Sequence, residues 1–175
     1  LEVGTRRIET DLKSYPDTRA TLLNTIGRVY NSLGLYKEAS TVLEKSLTLR
    51  QELYGKQHPE AGASLNDLSE TYISLGELDI AEAPLKESLA PVLHPTSKTK
   101  IQSSAVMAKS LFLLGRIALE RGEFETAEQR FKQSMDMYDA LGQQNSIDKA
   151  AVMTQLGKAL SEQYKEPEAE PWLRA

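Results

Sequence analysis

Residues 25–47, TIGRVYNSLGLYKEASTVLEKSL, constrain the fold more than any other stretch, because their residue types return, altered, three more times. Tyr30, Gly34, Ala39, Leu43 and Ser46 recur 42 residues on as Tyr72, Gly76, Ala81, Leu85 and Ser88. A third set holds Gly115, Ala118, Gly122, Ala127, Phe131 and Ser134, with Gly122 displaced by 46 from Gly76; a fourth returns to 42 with Gly157, Ala169 and Leu173. Within the unit, Leu23, Ile26 and Tyr30 are spaced for one helical face, Gly34 breaks the run, and Ala39, Leu43 and Leu47 open a second face. Such a helical hairpin cannot bury its apolar side alone. Neighbouring copies must stack on it, which predicts an all-α fold, an α-solenoid of helix-turn-helix repeats with a shared core.

The punctuation divides the chain into five parts. Residues 1–16 form a lead helix carrying Val3, Ile8 and Leu12 amid charges, interrupted by Tyr15-Pro16-Asp17. The first repeat covers 17–58, its second helix reaching Leu53 or Tyr54 before Gly55 stops it. Pro59 opens the second repeat, 59–100, at a position where a missing N–H costs nothing, but Pro84 and Pro91 predict an irregular second helix and joint. The polar run 95–100 absorbs the excess of four in spacing. In the third repeat, 101–145, helices are expected at 105–120 and 124–141, with Gly122 and Gly142 as breaks. The fourth, 146–175, begins with Ser146 as N-cap and Asp148 in the first turn, and its second helix starts near Pro167. With Leu1 in place of an initiating Met and Trp172 and Leu173 left without a covering neighbour, the chain is expected to be a piece cut from a longer protein.

These columns resemble a known family. The order Leu23, Ile26-Gly27, Tyr30, Gly34, Ala39, Leu43, and again Leu111, Leu114-Gly115, Ala118, Gly122, Ala127, Phe131, is similar to the tetratricopeptide repeat, TPR. The 42-residue period and the phrase Tyr54-Gly-Lys-Gln-His-Pro-Glu60 followed by Ser64-Leu-Asn-Asp-Leu68 resemble its longer variant typified by kinesin light chain. The lead, from Arg7 to Leu12 into Leu22 to Tyr30, also resembles repeat regions that follow the kinase domain in some bacterial serine/threonine protein kinases.

The resemblance implies that the first helices line a concave groove, with repeat positions 2, 5, 9 and 12 pointing into it. Carried over by register, the expected peptide-binding residues are Asn24, Arg28 and Asn31 in the first repeat and Asn66, Glu70 and Ile73 in the second. The third supplies Lys109, Phe112, Arg116 and Leu119, and the fourth Lys158. The remaining places hold Thr21, Ala63, Ala151, Thr154 and Ser161. An Asn side chain carries donor and acceptor together, matching the backbone of an extended peptide. Arg28, Lys109, Arg116 and Lys158 bias the groove to positive, opposed by Glu70, while Ile73, Phe112 and Leu119 form an apolar patch. An acidic segment is the implied ligand. Some family members clamp a chaperone's terminal carboxylate; the corresponding places here are Asn24, Arg28, Asp67, Lys109 and Leu113, of which only Lys109 matches in kind, so that mode is not expected.

Other residues read as architecture. Ala39, Ala81, Ala127 and Ala169 stand where the helices of a hairpin approach most closely. Tyr30, Tyr72, Phe124 and Phe131 are expected to pack in the core. His58 and His94, each followed by proline, lack companion ligands and read as turn residues, so no metal site is expected. Asp136 and Asp139 read as a solvated face and not as a catalytic pair. There is no phosphate loop, no HExxH helix, no GxSxG elbow and no kinase signature, so the chain is expected to be no enzyme and to need no cofactor.

Composition closes further classes. A net charge of −4 argues against general nucleic-acid binding, which needs a basic face. No apolar run approaches the roughly 18 residues of a membrane span, so no membrane contact is expected of this fragment. Cysteine is absent, removing disulfides and thiolate sites and leaving the chain compatible with the cytoplasm, its expected location. Three functions remain open: a scaffold that binds a protein or peptide segment, a regulatory tail of a signalling kinase, and self-association through exposed solenoid ends.

Overall fold

The computed structural model describes residues 7–8, 10–89, 104–143 and 146–173. Pro91, His94 and the polar run 95–100 lie outside them. Among the described residues eight helices follow one another with no strand: α1 (Pro16–Ser32), α2 (Tyr36–Tyr54), α3 (Pro59–Leu75), α4 (Leu78–Ser88), α5 (Ala105–Glu120), α6 (Phe124–Ala140), α7 (Ile147–Glu162) and α8 (Glu166–Leu173). They form two compact units, Leu1–Ser88 and Leu89–Ala175.

Each unit is built the same way. In the first, every helix packs on the next and α1 also touches α3; in the second, α5 to α8 repeat that order and α5 touches α7. This is an all-α array of sequential helix pairs, with the first helices of neighbouring pairs in contact.

The helix ends follow local chemistry. Pro16 and Pro59 stand at the first turns of α1 and α3. Ser104 Oγ accepts the Met107 N–H at 3.1 Å, and Ser146 Oγ accepts the Lys149 N–H at 3.1 Å, so α5 and α7 carry side-chain N-caps. His58, expected only to turn the chain, also caps: its Nδ1 accepts the Glu60 N–H at 3.2 Å while its ring stacks on Tyr54. Gly34, Gly76 and Gly122 make the turn inside their hairpins with φ between 74° and 79°; the matching residue of the fourth repeat is Tyr164, at φ 58°. Helix α4 has 11 residues against 19 in α2 and carries Pro84 inside, so the solvent-facing Ile80 loses its backbone partner. The expected irregular second helix of repeat two is therefore a short one.

The core lies between the two helices of each pair. Ala39, Ala81, Ala127 and Ala169 are all buried. A Cβ added to Gly27 would lie 2.4 Å from Leu43 Cγ, and one added to Gly115 would lie 2.5 Å from Phe131 Cε1. These two columns bring backbone against a large side chain, and only glycine leaves the room. A serine ties the same helices: Ser46 Oγ donates to the Ala20 carbonyl at 2.8 Å, and Ser134 Oγ to that of Ala108 at 2.7 Å.

In the second unit the turn before α8 is anchored on Glu128. Lys132 Nζ reaches Oε1 at 2.7 Å, while Lys165 Nζ at 3.1 Å and Gln163 Nε2 at 3.0 Å reach Oε2. The Lys132 bond does most to hold the Glu128 carboxyl down to about 2, against the opposing effect of burial, with Lys165 and Gln163 adding to it.

Two outcomes follow. Ala127→Leu overpacks the α5–α6 contact and lowers stability by about 1–3 kcal/mol in urea melts. Because the Glu128 carboxyl titrates lower when folded, its contribution is complete above the ordinary value of 4.5 and is lost as pH falls toward about 2. Glu128→Gln should flatten that acid limb in melts compared at neutral pH and near pH 3.

Candidate functional site

The expected ligand face falls on the first helices of each unit. On α1, Asn24, Arg28 and Asn31 stand at helical spacing, as do Asn66, Glu70 and Ile73 on α3. On α5, Lys109, Phe112, Arg116 and Leu119 share one face, and Lys158 lies on α7.

The expectation that these columns stand free of the core is corrected by burial. Asn24, Asn66, Ile73, Phe112 and Leu119 are each more than nine-tenths buried. Asn24 is held against α3 by Asp67 and Ser64, and Phe112 packs on Phe131 of α6. Arg28 and Lys158 are exposed, and Asn31, Glu70, Lys109 and Arg116 are half-buried.

Asn24 has a structural task that sequence spacing did not reveal. Its Nδ2 donates to Asp67 Oδ2 at 2.8 Å and its Oδ1 accepts from Ser64 Oγ at 3.0 Å, joining α1 to α3. Ser64 in turn accepts from Arg50 Nη1 at 2.9 Å, and Arg50 also reaches the Glu60 carbonyl at 3.2 Å and the Glu60 carboxylate at 3.1 Å. Arg50 is itself buried. A polar chain Glu60–Arg50–Ser64–Asn24–Asp67 thus threads α1, α2 and α3. The available signal was its columns: 88 residues on, Arg50, Glu60, Asn24 and Ser64 become Tyr138, Asp148, Phe112 and Val152. In that second setting burial, reinforced by the Asp148 charge, pushes the Tyr138 hydroxyl up to about 12.

Asn31 differs from Asn24. Its Oδ1 is enclosed with no hydrogen-bond partner among the described residues. A buried acceptor without a donor costs about 1–3 kcal/mol.

In the second unit the site is aromatic and cationic. Lys109 Nζ stands 5.1 Å and Arg116 Cζ 5.9 Å from the centre of the Phe112 ring, within cation–π range. Phe112 rests on Phe131 with ring centres 5.9 Å apart, so the same residue that fills the Gly115 contact supports this platform. Two positive charges are therefore held on one face of α5. Among the described residues no cluster of His, Asp and Glu is arranged for a metal ion.

Comparisons with known proteins agree with this architecture. Residues 18–90 and 110–144 match the tetratricopeptide repeat family, and the chain belongs to it. Domains of this kind are typically non-catalytic and serve protein–protein interaction. A crystal structure titled as a putative kinesin light chain with nearly identical TPR-like repeats, from Podosopora anserina, superposes with TM-score 0.73 at 21% identity over 91% of this chain and 73% of that one. BtubC (BKLC) from P. vanneervenii gives 0.74 at 18% identity, over 99% and 67%. Among curated sequences, RxLR effector protein SFI4 of Phytophthora infestans is 31% identical over 99 residues, 55% of this chain and 29% of that protein. Nephrocystin-3 of Xenopus tropicalis is 33% identical over 69 residues, 39% of this chain and 5% of that protein. The chain spans less than a third of the length of these curated relatives. The likeness of the lead to kinase-tail repeats finds no counterpart in these matches. No helix among the described residues is long and apolar enough to cross a membrane.

Asn24→Ala strips partners from Ser64 and Asp67 and should cost about 1–3 kcal/mol in urea melts, whereas Arg28→Ala, on the exposed part of the same face, should change stability by less than about 0.5 kcal/mol.

Proposed function

We propose that this chain is a non-catalytic scaffold that binds a segment of another protein, acidic in character, on the faces of its first helices. The observation that carries the reading is the pair Lys109 and Arg116 gathered over Phe112, a positive and partly apolar platform in a chain whose net charge is −4. Exposed Lys158 on α7 adds charge of the same sign to that unit, and exposed Arg28 gives α1 a cation of its own. Asn24, Asn66, Ile73 and Leu119 enter this reading as support for the face, and Glu70 as its one acidic member. The setting proposed is the cytoplasm, where a cysteine-free chain is at no disadvantage. One relative, RXLR-C07 of Plasmopara halstedii, is a secreted effector by name, so location is tested directly in cells.

The direct test uses a fluorescein-labelled peptide of Asp and Glu residues with a free C-terminal carboxylate, followed by anisotropy. Arg28→Glu combined with Arg116→Glu should weaken binding by at least about tenfold, a loss of about 1.4 kcal/mol, and salt should weaken the native interaction. The single variants separate the contributions of the two units. Undiminished binding by the double variant, with helicity unchanged, overturns the assignment.

A further inference from the structure

Helix α5 differs from the other first helices at the columns of Lys109 and Phe112. On α1, α3 and α7 the Phe112 column holds Asn24, Asn66 and Thr154, and the Lys109 column holds Thr21, Ala63 and Ala151. Among the described first helices, α5 alone sets a cation about one turn to either side of an aromatic ring. Its one carboxylate, Glu120, is its last residue.

The spacing explains how the two charges are brought together. Phe112 lies three residues after Lys109 and four before Arg116, so both side chains reach it along one helix face. Seven residues of helical rise separate the two Cα atoms by about 10 Å. Both heads turn to the ring between them, Lys109 Nζ to 5.1 Å and Arg116 Cζ to 5.9 Å from its centre. The ring is buried, 6% exposed, and braced by Phe131, whereas both cations are half-buried. Phe112 is therefore the holder of the charges, and the charges are what a ligand meets. Holding two long side chains on one ring removes in advance part of the freedom that binding an anion would cost.

Two like charges held at one ring favour an anion that carries more than one charge at one point. A carboxylate brings a single charge on two oxygens. A phosphate monoester brings about −1.5 to −2 on three terminal oxygens, enough to engage the planar fork of Arg116 and the ammonium of Lys109 together. Both residues take part in further interactions within the chain. A guanidinium has five N–H donors and an ammonium three, so each can bind a phosphate oxygen alongside an internal partner.

We propose that Lys109 and Arg116, gathered on Phe112, receive the phosphate of a phosphorylated serine or threonine in the bound segment. This rests on the reading of the first-helix faces as the surface that holds a segment of another protein, and it names the anionic group that α5 selects. Arg28 and Lys158, each a cation with no second one beside it in its own repeat's columns, remain suited to single carboxylates.

Anisotropy with three labelled peptides of one acidic sequence tests it. A central Ser-Ser is left unmodified, phosphorylated on its first serine, or replaced by Glu-Glu, the last two adding nearly equal charge. The phosphorylated peptide should bind at least about fivefold tighter than the Glu-Glu peptide. Arg116→Lys keeps the charge and removes the fork, and should bring the phosphorylated peptide down to the Glu-Glu level. Lys109→Gln should do the same from the other side of the ring, with helicity by circular dichroism retained in each variant. Equal affinity of the two charged peptides for the native chain overturns the phosphate site and leaves the acidic-segment reading standing. Failure of all three peptides to bind overturns both. A preference for phosphate that survives Arg116→Lys and Lys109→Gln overturns the assignment to α5.

Discussion

The fold depends on how closely the two helices of a hairpin can approach. Leu43 sits over Gly27 and Phe131 over Gly115 at distances that exclude even a methyl group, with Ala39 and Ala127 buried nearby. A close approach at small residues lets one large side chain fill the gap with its whole surface in contact, and packing density of that kind leaves no second arrangement of comparable energy. Once the hairpin is set, its outer faces have fixed directions. One meets the neighbouring first helix, and another waits for a second helix.

The two units solve the same joint differently. Between the first and second repeats, Arg50, Ser64, Asn24 and Asp67 form a buried polar chain whose geometry admits one register. At the matching columns of the second unit stand Tyr138, Val152, Phe112 and Gln155. A buried polar chain holds only while its members are satisfied, and it enforces alignment more than it adds net stability. An aromatic joint gains by area and contact. The candidate site inherits the difference: amide and mixed charge on α1 and α3, and cations over an aromatic ring on α5.

Relatives as different as RxLR effector proteins and nephrocystin-3 share stretches of this repeat, each matched over under a third of its length. That is the expected behaviour of a module whose shared residues specify stacking. The columns of Gly27, Ala39 and Leu43 carry the family likeness, whereas Arg28, Asn31 and the Lys109–Phe112–Arg116 cluster lie between them. In the function we propose, partner choice belongs to the second set, which leaves the stacking columns untouched.

Spacing alone determined the all-α class, the hairpin order and most helix ends, because glycine, proline and serine act on their own few residues. It determined the buried alanine column as well, since a 42-residue period leaves that position one environment. What only the tertiary structure decided was which face a residue shows once two hairpins meet. Asn24 and Asn31 carry the same side chain at groove positions of one helix, yet Ser64 and Asp67, some 40 residues away, engage the first and leave the second carbonyl oxygen enclosed without a partner. Val29 and Thr71 share a column, yet Thr71 is buried on a helix packed between neighbours on both sides, whereas Val29 stays 40% exposed. Periodicity reports how a residue sits on its own helix, and it is silent about the neighbour that arrives from elsewhere in the chain.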